Sequence, residues 1–287
     1  MRSLAIYHGQ PSKHRRARQL YQEFLGPGEV GFDIGAHVGG RVRTWRRLGA
    51  RVVAVEPQPD CLRILRLLFG RDRGVVIVPE AIGARSGRAS LALSTTHPTV
   101  STMSQDWIES VTTDESFSRV RWDRSVEVAV TTLDDLVAVH GTPAFCKIDV
   151  EGFELDVLRG LSRPLPALSF EYLPPAHDAA LAVLDLVERL GAMAGGYRYN
   201  YSPVETMRYA SDEWLDAAGL IRLLDRFRPA GRSGDVYARL NTDEHTTSAG
   251  WAGDPASRAA EPQGPAGDPA SPAAEPQGPA GGVTPEG

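Results

Sequence analysis

The chain has 287 residues, of which 31 are basic and 36 are acidic, and this gives a formal net charge of −5. Seven of the acidic residues and one basic residue lie from Asn241 onward, so residues 1–240 carry 30 basic and 29 acidic side chains. A nearly neutral body has no field that would attract a polyanion, so we predict no nucleic-acid partner. Because no apolar run is long enough for a signal peptide or a bilayer span, we predict a cytoplasmic protein without a membrane partner.

Composition divides the chain into three parts. We predict an N-terminal helical extension at 1–28, an α/β domain at 29–241 and a tail at 242–287. The tail is rich in Pro, Gly, Ala and Glu, and a unit of 14 residues occurs twice in it, at 253–266 and 267–280. Such a segment cannot bury enough apolar surface to offset its conformational entropy, so we predict that it is disordered.

The predicted elements alternate between amphipathic helices and short apolar strands. In chain order, the predicted helices lie at His14–Leu25, around Val42, Trp45 and Leu48, and at Cys61–Phe69, Leu133–Val139, Phe153–Leu161, Ala179–Leu190 and Ser211–Leu215. The predicted strands lie at Val30–Ile34, Arg51–Val55, Gly74–Val78, Ala89–Leu93, Val126–Val130, Ala144–Asp149, Ala167–Tyr172, Gly196–Tyr201 and Asp235–Leu240. This alternation predicts a parallel sheet with helices on both faces. The polar stretch Ser94–Ser118 is predicted as a long loop of the kind that often covers an active site.

The turn after the first strand has the pattern of a nucleotide site. It runs from Asp33 through Gly35, Ala36 and His37 to Gly40, so a strand leads through a glycine-rich bend to the start of a helix. The full pyrophosphate fingerprint is missing, and the Asp33 carboxylate would repel the phosphates of a dinucleotide. The same carboxylate would attract an ammonium group, which favours S-adenosylmethionine, and Gly35 lets the backbone approach this cofactor closely.

Two further segments follow the next strands on the same side of the sheet. Glu56, followed by Pro57, comes 23 residues after Asp33, the spacing at which a carboxylate accepts both ribose hydroxyls. Glu80 and Ala81 follow the third strand. Because ligands of open α/β sheets lie across the carboxyl ends of the strands, we expect backbone groups of these two residues to contact the adenine ring.

Three stretches together resemble the FkbM family of S-adenosylmethionine-dependent methyltransferases. They are FDIGAHVGG at 32–40, TTLDDL at 131–136 and KIDVEGFELDVLRGL at 147–161, and the resemblance covers roughly 31–172. It implies the Rossmann-like class I methyltransferase fold, with a seven-stranded, mostly parallel sheet whose last strand is antiparallel. It also implies S-adenosylmethionine as cofactor, S-adenosylhomocysteine as product, and O-methylation of a sugar, polyketide or peptide-derived metabolite. His37 departs from the pattern, since many relatives carry Asn there.

The candidate catalytic residues follow the fourth strand of the predicted parallel sheet. A neutral hydroxyl is a poor nucleophile, so methyl transfer to oxygen benefits from a base. We hypothesise that Asp149 takes the proton or orients the acceptor, together with Glu151, and that Lys147 and His37 are lesser candidates. Each candidate also has a structural alternative. Asp149 could contact the cofactor or cap a structural element, and Lys147 could form an ion pair with Asp149 or Glu171. His37 could cap a helix, and Glu151 could occupy the first turn of a helix.

Other functions and ligands are less well supported. Asp149, Glu171 and Asn200 could offer oxygen ligands to a hard cation, but nothing in the composition requires one, and we predict no metal. A catalytically silent adenosylmethionine-binding regulator would not need the Asp149-Val-Glu151 block. A methyltransferase for amino groups would be supported by an Asn-Pro-Pro-Tyr/Phe motif, which the sequence lacks. The missing phosphate fingerprint disfavours a nicotinamide dehydrogenase. Several aromatic residues are expected either to line the acceptor pocket or to pack, namely Trp107, Trp122, Tyr172, Tyr197, Tyr199 and Tyr201.

Overall fold

The computed structural model describes residues 11–97, 100–112, 117, 120–203 and 206–241, and the predicted disordered tail lies outside this part of the chain. The described strands are β1 Val30–Ile34, β2 Arg51–Val55, β3 Val75–Val78, β4 Ala81–Ile82, β5 Gly87–Leu93, β6 Arg124–Thr131, β7 Phe145–Ile148, β8 Ala167–Tyr172, β9 Tyr197–Pro203 and β10 Gly234–Leu240. The described helices are α1 Pro11–Tyr21, α2 Gly40–Arg46, α3 Pro59–Phe69, α4 Gln105–Thr112, α5 Leu133–His140, α6 Glu154–Arg159, α7 His177–Gly191 and α8 Ala217–Phe227. No helix within these ranges is both long and apolar enough to cross a bilayer.

Seven strands form one sheet in the order β3-β2-β1-β7-β8-β10-β9. The neighbours from β3 to β8 pair in parallel, whereas β10 is antiparallel to both β8 and β9. The predicted fold class is therefore confirmed, including the antiparallel last strand. Since β2, β1, β7 and β8 are consecutive in this order, their carboxyl ends meet at one edge of the sheet, where α/β folds bind their ligands.

A second sheet of three strands lies in the middle of the chain, in the order β4-β6-β5. The stretch Ser94–Ser118, predicted as a loop, contains α4 within its described residues, so that prediction was wrong for this segment. The Oγ of Ser104 accepts a hydrogen bond of 3.0 Å from the backbone N–H of Trp107, and α4 buries Trp107 and Val111. A polar helix with only two buried residues gives too weak an apolar period to be read from sequence.

The predicted helix at Ser211–Leu215 was also wrong. Leu215 forms an isolated antiparallel bridge with Tyr199, and the helix begins after it, as α8. Asp216 determines this start because its Oδ1 accepts a hydrogen bond of 2.7 Å from the backbone N–H of Gly219, which satisfies a donor of the first turn. The apolar period then continues through Leu220, Leu223 and Leu224, all of which are buried.

Aromatic side chains join the N-terminal helix to one face of the large sheet. The centroid of the Phe145 ring lies 4.6 Å from the ring centroid of Phe24 and 5.7 Å from that of Trp45. Tyr21 meets Trp45 edge-on at 5.5 Å, and Trp45 itself is completely buried. Aromatic contacts of this kind stabilise the fold beyond the burial of apolar surface alone. Through Tyr21, its last residue, α1 is part of the core on this face of the sheet.

We predict that Trp45→Ala lowers the free energy of unfolding by about 3–5 kcal/mol, because a large aromatic side chain leaves a fully packed site. Urea unfolding followed by circular dichroism measures this loss. Val139→Ala is the control: Val139 is 74% exposed, and its truncation should change stability by less than about 0.5 kcal/mol. Equal losses in the two variants would contradict this account of the core.

Candidate active site

An open cavity of about 580 Å³ lies at the carboxyl ends of β1, β2 and β7. Eight of the residues that the sequence predicted for the site line it: Gly35, His37, Glu56, Pro57, Glu80, Ala81, Asp149 and Glu151. Asp33, Ala36 and Lys147 are buried and do not line this cavity. The middle segment contributes Ser101, Thr102 and Met103, which sequence reasoning did not select.

The turn after β1 is pressed against the end of β7. Gly35 has a φ of 82°, and a Cβ at this position would overlap the backbone carbonyl oxygen of Asp149. The N–H of Gly35 donates a 3.0 Å hydrogen bond to the carbonyl of Val55, which also ties the turn to β2. Only glycine meets both requirements, the left-handed backbone and the absence of a side chain.

Glu56 holds the turns after β1 and β2 together. Its two carboxyl oxygens accept hydrogen bonds of 2.8 Å from the backbone N–H groups of His37 and Gln58. Glu56 is buried, and this burial raises its pKa to about 7, although the two backbone hydrogen bonds oppose the shift. The group is therefore close to its titration point at neutral pH.

His37 does not cap the following helix. The helix α2 begins at Gly40, and its N-cap residue is Gly39, so the helix-cap alternative was wrong. His37 has a φ of 49°, a backbone conformation that is uncommon for residues other than glycine and often marks functional sites. Burial and the neighbouring Arg41 charge lower the pKa of its imidazole, so the neutral form is favoured.

Arg41 connects the two acidic residues that the sequence singled out at the ends of β1 and β7. Its guanidinium donates to Asp33 Oδ1 at 2.7 Å, to Asp149 Oδ2 at 2.6 Å and to the carbonyl of Gly35 at 2.9 Å. Asp33 is completely buried, so it acts on the cavity through Arg41. Sequence reasoning missed Arg41. One sequence signal could have indicated a role for it: Arg41 is a cation in the first turn of a helix, where the helix dipole disfavours positive charge unless an acidic partner lies nearby.

Lys147 is buried in β7 and forms its closest ion pair with a residue of the antiparallel strand. Its Nζ lies 2.9 Å from Asp235 Oδ1 and 4.0 Å from Asp149 Oδ2, and it donates to the carbonyl of Ile148 at 3.0 Å. Burial alone would lower the pKa of Lys147, but the charges of Asp149 and Asp235 raise it above its ordinary value. Lys147 is therefore a fixed positive charge, and the main partner, Asp235, was not foreseen.

The Asp149 carboxylate is held ionised by its neighbours. Burial would raise its pKa, but the positive charges of Lys147 and Arg41 outweigh this effect and lower it to about 2. At neutral pH Asp149 is thus a carboxylate engaged by two cations, and a group with so low a pKa is a weak proton acceptor.

Three carboxyl groups form an acid cluster beside the cavity: Asp149, Glu151 and Glu171 each have an oxygen within 4.8 Å of the others. Burial and the Asp149 charge raise the pKa of Glu151 well above its ordinary value. Burial and the Glu151 charge do the same for Glu171. Like charges this close resist simultaneous ionisation, so the cluster retains protons at pH values where isolated carboxyl groups lose them.

The loop that carries Glu151 is fixed from both sides. Glu151 has a φ of 54°, and its carbonyl accepts a 2.7 Å hydrogen bond from the hydroxyl of Thr102. Glu154 Oε1 accepts hydrogen bonds from the backbone N–H groups of Val150 and Gly152, at 3.2 and 3.3 Å. Since α6 begins at Glu154, the alternative that Glu151 occupies the first turn of that helix was wrong.

Asn200 takes no part in the acid cluster. Its Nδ2 donates to the carbonyls of Ser211 and Glu213, and its Oδ1 accepts from the backbone N–H of Tyr201, so both ends of the amide have partners inside the fold. The cluster oxygens are close enough to share a cation, although acidic groups of this kind are common without one. Tyr172, Tyr197, Tyr199 and Tyr201 are buried and pack in the core, whereas Trp107 packs against Gly152 beside the site.

The described lining of the cavity fits a phosphate-free, positively charged nucleoside. It includes the acidic residues Glu56, Glu80, Asp149 and Glu151 and contains neither Lys nor Arg. Phosphates would be repelled here, whereas a ribose finds a carboxylate at Glu56 and an adenine finds apolar walls such as Ile82 and Phe153. The fold and this site define an S-adenosylmethionine-dependent methyltransferase.

The particular family follows from a match to a family model. The Methyltransferase FkbM domain matches residues 33–199, and the chain belongs to this family. S-adenosylmethionine is its cofactor. A comparison with curated proteins gives no match.

Solved structures with a similar course of the chain share little sequence with it. A precorrin-6y C5,15-methyltransferase from Geobacter metallireducens is 14% identical, with 78% of this chain and 87% of that chain covered and a TM-score of 0.38. A SAM-dependent O-methyltransferase from Thermotoga maritima is 12% identical, with coverages of 80% and 64% and a TM-score of 0.37. A precorrin 8w decarboxylase from Methanobacterium thermoautotrophicum is 9% identical, with coverages of 77% and 87% and a TM-score of 0.39.

We predict that Gly35→Ala abolishes measurable adenosylmethionine binding, because the new Cβ would drive the turn away from Asp149. Calorimetric titration measures the affinity. Gly28→Ala is the matched control, since Gly28 has a φ of 83° and nothing lies within 4 Å of its Cβ position. The control variant also places a side chain on a left-handed backbone, which costs roughly 1–2 kcal/mol, but it introduces no steric overlap. It should therefore bind adenosylmethionine with normal affinity. Normal binding by Gly35→Ala would refute the role of the close approach.

Proposed function

We propose that the protein transfers the methyl group of adenosylmethionine to a hydroxyl of a small molecule. The acid cluster of Asp149, Glu151 and Glu171 beside the cofactor cavity is the observation that carries this proposal. Methyl transfer to a neutral amine needs no base before attack, whereas a hydroxyl gains reactivity when a base takes its proton. A group of carboxyls with raised proton affinity is suited to that task.

Glu151 is the base in this proposal, and Asp149 is a positioning residue. Both line the cavity, but Asp149 is engaged by Arg41 and Lys147, while none of the ion pairs in the described part of the chain holds Glu151. The acceptor hydroxyl gives its proton to Glu151, and Asp149 keeps Arg41 and the Gly35 turn in place. Lys147 maintains the charge of Asp149 and touches no reacting atom. His37 is neutral and serves as part of the cavity wall.

The cofactor contacts follow the cavity lining. The carboxylate of Glu56 accepts the ribose hydroxyls, Glu80 and Ala81 offer backbone groups to the adenine, and Gly35 and Pro57 provide close walls. When bound, adenosylmethionine supplies the methyl group, and its sulfur keeps the electron pair of the carbon–sulfur bond. The residues around it align the acceptor with this methyl group and exclude water.

The nature of the methylated atom is tested by isotope transfer. Adenosylmethionine with a ¹³C-labelled methyl group is incubated with the full chain and a panel of hydroxylated sugars, polyketides and peptides, some of which also carry amines. The proposal expects a labelled methoxy carbon in the NMR spectrum of the product. Label found only as N-methyl would contradict it, and cofactor binding without any transfer would favour the silent regulatory module instead.

We predict that Glu151→Gln lowers kcat roughly 10²–10⁴-fold on the best acceptor of that panel, a far larger effect than its effect on cofactor affinity. Because the pKa of Glu151 is raised, the base form grows only at pH values above its ordinary range, so the wild-type rate should increase with pH. The variant should lose this increase. Glu109→Gln, at an exposed position of α4, is the control and should keep it. An unchanged pH profile in Glu151→Gln would assign the proton transfer to another group.

We predict that cofactor affinity depends on pH through Glu56. Its pKa of about 7 means that protonation competes with ribose binding below neutrality. The dissociation constant for S-adenosylhomocysteine should therefore rise about tenfold between about pH 8 and about pH 6. Glu56→Gln should bind weakly at both pH values, whereas the exposed-site control Asp60→Asn should behave as wild type. A pH dependence that survives in Glu56→Gln would exclude Glu56 as its source.

A further inference from the structure

A second cavity of about 380 Å³ is lined by residues of the segment 149–154, which also lines the cofactor cavity. Glu151 and Phe153 line the cofactor cavity, whereas Gly152 and Glu154 line the second one. Glu171 also lines the second cavity, and its carboxyl oxygen is within 4.8 Å of those of Asp149 and Glu151. The second cavity is therefore bordered by one member of the acid cluster, Glu171, whose carboxyl lies next to that of Glu151.

Two residues that line the second cavity each carry a polar atom without a hydrogen-bond partner within the described part of the chain. These atoms are the indole Nε1 of Trp107 and the Oε2 of Glu171, and both are buried. Trp107 is only 3% exposed, and it sits against Gly152, where a Cβ would overlap its ring. Each unpartnered buried group costs about 1–3 kcal/mol, a cost that a ligand with matching polar atoms would remove. The indole can only donate a hydrogen bond, and a carboxyl oxygen can accept one.

The remaining wall determines which ligands are tolerated. It consists mainly of apolar side chains, such as Leu155, Leu173 and Val183. The ionisable groups on the described lining are the carboxyl groups of Glu154 and Glu171, and neither Lys nor Arg belongs to it. An anionic ligand would be desolvated there without a cation to pair with, and a strongly hydrated ligand would lose water to apolar surface.

We propose that the second cavity receives the methyl acceptor, and that this acceptor is a hydroxyl compound with an apolar body and no carboxylate or phosphate group. This inference rests on the proposed function and narrows its substrate class away from free sugars and acidic metabolites. Trp107 donates a hydrogen bond to the acceptor and Glu171 accepts one from it, which brings the acceptor hydroxyl to Glu151.

Three phenols of similar size test the charge preference: 4-ethylphenol, tyramine and 4-hydroxyphenylacetate, with methyl glucoside as a polar comparator. Each is titrated into the full chain saturated with S-adenosylhomocysteine, and binding is followed by tryptophan fluorescence and calorimetry. We expect saturable binding of 4-ethylphenol and tyramine, with 4-hydroxyphenylacetate weaker by about tenfold or more because its carboxylate would lose water with no Lys or Arg on the lining to pair with. Methyl glucoside should not bind measurably.

Two variants connect the binding to this cavity. Ala179 lines the cavity from an exposed position of α7, so Ala179→Phe should obstruct it and abolish phenol binding without loss of S-adenosylhomocysteine affinity. Ala192→Phe, also at an exposed alanine near the end of the same helix but off this lining, is the control and should bind as wild type.

The outcomes separate this inference from the proposed function. Binding of 4-hydroxyphenylacetate as tight as that of tyramine, no saturable binding of any phenol, or unchanged phenol binding in Ala179→Phe would overturn the cavity assignment. Labelled adenosylmethionine supplied with tyramine tests the proposed function by itself. A methyl group found on the tyramine nitrogen would contradict O-methylation while leaving the cavity assignment intact.

Discussion

The active site depends on the contact between the end of β1 and the end of β7. Gly35 lies so close to the Asp149 carbonyl that no side chain fits between them, and Arg41 spans the same junction with hydrogen bonds to Asp33, Asp149 and the Gly35 carbonyl. Removing either the guanidinium or its carboxylate partners would leave a buried charge without a partner, which is costly. The junction fixes the floor of the cofactor cavity and the orientation of the loop that follows β7.

The distribution of charge across the site gives its residues different roles. Arg41 and Lys147 lie beneath the cavity and engage Asp33, Asp149 and Asp235, so those acids are committed to structure. Glu151 and Glu171 lie beyond the reach of these ion pairs and retain a raised proton affinity. Two carboxylates separated by one residue in sequence, Asp149 and Glu151, therefore differ in what they can do. The difference in pKa arises because Arg41 and Lys147 engage the Asp149 carboxylate and form no ion pair with Glu151 among the described residues.

The middle segment completes the site from outside the main sheet. Thr102 holds the carbonyl of Glu151, and Trp107 packs on Gly152, so α4 and the residues before it fix the position of the proposed base. In sequence this segment looked like a polar loop that covers an active site. The structure gives it a specific task, because the left-handed backbone of Glu151 is held in place by these contacts.

The sequence alone determined the alternation of strands and helices, the cofactor class and most of the cavity lining, because apolar period and strand-end residues are local features. It placed Gly35, His37, Glu56, Pro57, Glu80, Ala81, Asp149 and Glu151, all of which line the cofactor cavity. Tertiary structure decided the partners. The fold brings together Arg41 with Asp149, Lys147 with Asp235, and Glu171 with Glu151 from different helices, strands and loops. Their ionisation follows from burial and distance, which no local pattern encodes.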